Sequence, residues 1–61
     1  MKMLKKVKGN YITELVAQKS ILGTVTYAVY VFDRTLRQFS IVVKFDSLQE
    51  SKNYFNNLIK K

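Results

Sequence analysis

The sequence predicts a small α+β domain, a three-stranded antiparallel meander packed on a C-terminal helix. Three observations carry that expectation. Residues 25–32 and 38–45 read "VTYAVYVF" and "QFSIVVKF", two runs of β-branched and aromatic residues with a period of two, separated by a short polar turn. Directly after the second run, Ser47, Leu48, Gln49 and Glu50 have the S-x-x-E spacing of a helix capping box. The chain has 61 residues, enough for one domain that buries only ~60% of its unfolded surface. Without Cys, neither a disulfide nor a thiolate zinc site can staple so small a core, which favours an oligomer or a tightly bound partner.

Taken in chain order, residues 1–8 hold Lys2, Lys5, Lys6 and Lys8 and no acid, and read as a basic N-terminal arm ahead of a domain spanning 9–61. Gly9 and Gly23 stand where the chain changes state. The stretch between them admits two readings. As a helix, Ile12, Leu15, Val16 and Leu22 share a face, with Asn10 as cap and Gly23 as stop, giving a helix–hairpin–helix (αββα) alternative. As a strand, Tyr11 to Lys19 pairs beside residues 24–32. The strand is preferred because "VTYAVYVF" carries no charge, and left at a sheet edge it would invite aggregation. Asp33 starts the hairpin loop through its side chain. Alternation then assigns Val25, Tyr27, Val29, Val31, Phe39, Ile41, Val43 and Phe45 to the core. Thr24, Thr26, Ala28, Tyr30, Phe32, Gln38, Ser40, Val42 and Lys44 face outward. In the helix, Leu48, Ser51, Phe55, Leu58 and Ile59 form one stripe, while Lys60 and Lys61 suit the negative end of the dipole.

The inventory speaks against catalysis. There is no His or Cys, so imidazole bases, thiolate nucleophiles and their metal ligands are missing. The four carboxylates are dispersed, Asp33 as a turn former and Asp46 and Glu50 at a helix start, leaving Glu14 alone. No Gly-rich phosphate loop occurs. No enzymatic activity, cofactor or metal is expected. The longest apolar run, Tyr27 to Phe32, is six residues, far short of the ~20 that span a bilayer, and no apolar stretch follows the basic start as in a signal peptide. A soluble, cytoplasmic protein is expected.

Two binding functions fit what remains. The formal charge of +7 suits nucleic acid. The segment "FDSLQESKNYFNNL" resembles the strand end, cap and helix of AP2-type domains and of the arm-binding domains of phage and transposon integrases, with the likeness extending over residues 25–60. That resemblance implies a three-stranded sheet whose open face reads DNA with a helix behind it. Those families display Arg, Lys and Trp on the open sheet; this sequence offers Lys44 there, Arg34 and Arg37 near the loop, and no Trp. The expected contacts are Lys2, Lys5, Lys6, Lys8, Arg34, Arg37 and Lys44. The alternative is a protein-interaction module, by analogy with small phage or mobile-element regulators and inhibitors. It would use the weakly charged outer face, with Thr26, Ala28, Tyr30, Phe32 and Val42 against a protein partner or a second copy.

Overall fold

The structure, a computed structural model, describes residues 1–60; the expected placement of Lys61 lies outside them. Four strands, β1 (Lys2–Lys8), β2 (Tyr11–Lys19), β3 (Val25–Asp33) and β4 (Gln38–Phe45), precede one helix, α1 (Leu48–Ile59). All neighbours pair antiparallel in the order β1-β2-β3-β4. The α+β class and the C-terminal helix stand as expected, with two corrections. The segment expected to be a free basic arm is β1, so the meander has four strands. Residues 11–19 are a strand, so the helix–hairpin–helix alternative falls.

The physical reason for β1 lies in its turn and its position. Lys8 pairs with Tyr11 across a two-residue loop in which Gly9 has φ 59°. Positive φ at the first central residue alone is the pattern of a type II′ turn, which matches strand twist and admits Gly there. Lysine is also tolerated on an edge strand, where its charge discourages pairing with a further strand. With β1 in place, β2 and β3 are both central. Thr13, Glu14 and Leu15 of β2 are all buried, one face under α1 and the other under the neighbouring strands' side chains. The β2–β3 connection closes when Gly23 N–H donates to the Ser20 carbonyl at 3.0 Å. In the β3–β4 loop, Asp33 Oδ1 accepts from the N–H groups of Thr35 (2.9 Å) and Leu36 (3.2 Å), as its sequence position suggests.

Each edge strand carries one β-bulge. In β1 the register slips at Met3, so that Lys2 faces Val16 while Leu4 faces Leu15. In β4 it slips at Ser40: Ile41 pairs with Val31, but Phe39 pairs with Phe32. A bulge moves every residue beyond it to the opposite face. This corrects the expected faces. Phe39, assigned to the core, lies outward and is 57% exposed, while Ser40, assigned outward, borders the helix side. Gln38 pairs with Asp33 and likewise leaves the outer face. Val25, another expected core residue, lies beyond the helix and is exposed.

The helix seats on the other face as its stripe requires. Phe55 enters a cluster with Leu15 and Val29, flanked by Met3, Tyr27, Phe45, Tyr54, Leu58 and Ile59. Ser51 is fully buried, its hydroxyl donating to the Leu48 carbonyl at 2.7 Å, so a small side chain lets the helix backbone approach the sheet. Ser47 Oγ accepts from Glu50 N–H at 3.4 Å, and the Glu50 carboxylate makes no return bond, so half of the capping box is formed. The helix is neither long nor apolar enough to cross a membrane.

Two stability outcomes follow from this packing. Truncating Phe55 to Ala should cost ~3–5 kcal/mol, a large part of the roughly 3–9 kcal/mol available to a domain of this size. A Phe55→Ala variant that melts cooperatively within a few degrees of the wild type would show that α1 does not seat through this ring. Ser47→Ala should cost about 0.5–1 kcal/mol, the low end for a cap, in keeping with the long bond. A circular-dichroism melt unchanged within a degree would rule Ser47 out as the cap.

Candidate functional site

The sheet face turned away from α1 is the largest feature without a covering element. Register sets it out in rows. Val7, Ile12, Phe32 and Phe39 form the row nearest the β3–β4 loop. Lys5, Glu14, Tyr30 and Val42 form the next, and Lys2, Val16, Ala28 and Lys44 the third. The first row is wholly apolar, the second has Lys5 at one end and Glu14 and Tyr30 in its middle, and the third has Lys2 and Lys44 at its two ends. Lys2 and Lys44 stand on opposite edges, three strand spacings or ~14 Å apart.

Three aromatic rings cluster in the first two rows. Phe39 meets Tyr30 edge-on, with centroids 5.3 Å apart and planes at 90°, and meets Phe32 at 5.2 Å and 71°. These are favourable edge-to-face contacts. They hold Phe39 in place although it is well exposed, so one aromatic ring stands up to solvent on a fixed base.

Glu14 sits at the centre of the face and is the one acid there among the described residues. Its side chain is nearly closed off, yet both oxygens are engaged. Tyr30 Oη donates to Oε1 at 2.8 Å, and Lys2 Nζ lies 2.8 Å from Oε2 as an ion pair. The Lys2 contact holds the Glu14 carboxyl below its ordinary value against the opposing effect of burial, with the Tyr30 hydrogen bond helping. Tyr30 is pushed up by burial and then by the neighbouring carboxylate. The bulge at Met3 makes this triad possible, since it turns Lys2 onto the face where Glu14 lies. The charge of Glu14 is thereby met within the molecule, with Lys5 opposite it in register adding a weaker attraction, and Lys5 and Lys44 are the outward cations on this face.

The other residues expected to contact nucleic acid divide by strand alternation. Lys6 and Lys8 pair with Thr13 and Tyr11 and belong to the helix side, so the four lysines of β1 do not act as one patch. Arg34 and Arg37 lie in the loop that adjoins the Phe32–Phe39 row, and Arg34 N–H donates to the Asn10 carbonyl at 2.8 Å, tying that loop to the β1–β2 turn. Arg37 has φ 55°, a left-handed conformation that costs a non-glycine residue energy. Of the residues expected at a protein interface, Thr26, Tyr30, Phe32 and Val42 lie on this face with partial or full exposure. Ala28 is only 4% exposed and is covered by its neighbours. The sequence reading missed Phe39, Val7, Ile12 and Glu14. A lone acid amid "YITELV" beside a Lys-rich strand was the available signal for Glu14. Phe39 had none, because a bulge leaves no mark in a period-two pattern.

Comparison with known proteins finds no match to a family model, a curated protein or a solved structure.

The triad makes a pH prediction. Because the native carboxyl of Glu14 ionises more readily than its ordinary value of 4.5, its contribution to stability is present above that pH and disappears as the pH falls through the lowered native value. Urea unfolding of wild type and Glu14→Gln at pH 7 and pH 3 should show the wild type losing more stability on acidification than the variant. Equal losses would mean that the triad does not form.

Proposed function

We propose that this chain is a non-enzymatic binding module that takes single-stranded nucleic acid on its open sheet face. Bases stack at Phe39, Tyr30 and Phe32, and phosphates run along Lys5, Lys44, Arg34 and Arg37. The observation that carries this reading is the exposed aromatic cluster bordered by cations on a face whose one acid is neutralised internally by Lys2 and Tyr30. Aromatic platforms edged by positive charge hold single strands with little sequence preference, since every base has a stackable face. Reading a duplex through its major groove needs polar groups that project from the sheet to base edges. On this face the central polar groups, Glu14 and Tyr30, are already bonded to each other and to Lys2, and the most exposed uncharged side chains are the apolar Val7, Phe39 and Val42, which favours stacking on unpaired bases over duplex readout.

Fluorescence anisotropy with a labelled single strand and the matching duplex, over a range of salt, tests the proposal. The single strand should bind more tightly. Phe39→Ala should lose ~1–3 kcal/mol of affinity with the fold intact, because that ring is mostly outside the core. Arg34→Ala should flatten the log–log salt dependence by ~0.7 for one phosphate contact, and Arg37→Gly should do the same while relieving the left-handed strain at that position. Binding that ignores salt, or that is indifferent to Phe39, would overturn the reading.

A second reading is favoured by Val7, Phe39 and Val42, which are 46%, 57% and 59% exposed and share this face. Contiguous apolar surface marks protein contacts. On that reading the face binds a protein or a second copy, and sedimentation should show salt-insensitive self-association that Val42→Glu abolishes.

A further inference from the structure

Lys6 and Lys8 have no place in the open-face reading, because alternation along β1 turns them to the helix side, and there they border a cleft. Its origin is a mismatch of lengths. A strand of nine residues such as β3 runs ~30 Å, whereas the 12 residues of α1 cover ~18 Å. The helix starts just past the end of β4 and runs back over Phe45, Tyr27, Val29 and Leu15, so it stops short of the β1–β2 turn. Beyond its last turn the sheet is uncovered, leaving a cleft of about 600 Å³. Leu58 and Ile59 form one wall, Val31 and Ile41 the floor, and Tyr11 and Lys6 the far side. The lining is mainly apolar, and the volume is within the range of small-molecule sites.

The charge around the cleft selects its occupant. Lys6 has no partner among the described residues, whereas Lys8 is engaged in a contact of its own and takes no part in holding the ligand. The acid nearest in register, Asp33, faces Tyr11 across the sheet, but its carboxylate is turned into the loop, where Thr35 and Leu36 donate to it. The carbonyl end of α1 borders the opposite wall, where its partial negative charge offsets the Lys60 cation at the C-cap, so the negative head is placed at Lys6 on the β1 side. We propose that this cleft binds a single-chain amphiphile with an anionic head. The alkyl tail lies between Leu58–Ile59 and Val31–Ile41, and the carboxylate or phosphate sits at Lys6. This site is on the opposite side of the sheet from the proposed nucleic-acid face and is independent of it.

Methyl NMR of the full chain, titrated with sodium laurate, dodecyl phosphate or dodecyltrimethylammonium below the concentrations at which each forms micelles, tests the proposal. Saturable shifts are expected at Val31, Ile41, Leu58 and Ile59 with either anion and not with the ammonium. Tighter binding of laurate would indicate a fatty carboxylate as the natural head, and tighter binding of dodecyl phosphate a phosphate-headed lipid. Lys6→Glu should weaken laurate about fivefold or more and admit the ammonium. Ser40→Phe, placed where the bulge turns a small side chain to the cleft, should exclude all three probes without altering Lys6. If Ser40→Phe disturbs the melt, Lys6→Glu still decides. Shifts confined to Val7 and Val42, equal binding of laurate and the ammonium, unchanged affinity in Lys6→Glu, or no saturable shift would each overturn the proposal.

Discussion

The constraint on which this structure depends is that a single 12-residue helix must stabilise a four-stranded sheet with two faces. One face can be buried by packing, and Phe55, Leu15 and Val29 do so. The other has to be stable in contact with water. Its solution is a layer of side chains that cover one another: aromatic rings meeting edge-on, Ala28 sunk between neighbours, and Glu14 held by Tyr30 and Lys2. A carboxylate so nearly enclosed would be costly if left unpaired. Here the two partners come from strands on either side of it, so the triad also pins β1 and β3 against β2. The same shortage of helix leaves the far end of the packed face uncovered.

The two bulges adapt the edge strands to this arrangement. Without the slip at Met3, Lys2 would fall on the helix side and Glu14 would lack its cation. Without the slip at Ser40, Phe39 would point toward the helix, and Tyr30 and Phe32 would lose the ring that packs against both. Each bulge also disturbs a row of unpaired backbone groups at a sheet edge, which discourages pairing between chains. The lysines of β1 serve this end as well. Part of the chain's basic character therefore has a structural explanation that requires no ligand. The functional reading rests instead on the cations bordering the aromatic cluster, and on Lys6 beside the cleft.

Much of the fold was legible in the sequence for a local reason. The Ser47 cap, the stripe through Leu48, Ser51, Phe55, Leu58 and Ile59, and the alternation in residues 25–32 each depend on neighbours a few positions away. Periodicity reports such relations directly. The Asp33 turn and the change of state at Gly9 and Gly23 are local in the same sense. The open face was also partly legible, through the poverty of charge at Thr26, Tyr30, Phe32 and Val42.

What the tertiary structure decided was which strand sits at the edge, where an extra residue enters a ladder, and what lies across the sheet. Residues 1–8 read as an arm because their lysines obscure a strand that is stable only once β2 offers a partner. Phe39 changed faces because register is fixed between strands, and a one-residue slip leaves the sequence pattern within each strand intact. Lys2 and Glu14 are twelve positions apart in a chain that gives each a bland local reading, and only the antiparallel return of β2 places their charges together. The sequence by itself determined which residues could share a face. The folded sheet decided which face they share and with whom, because that choice depends on contacts between segments far apart in the chain.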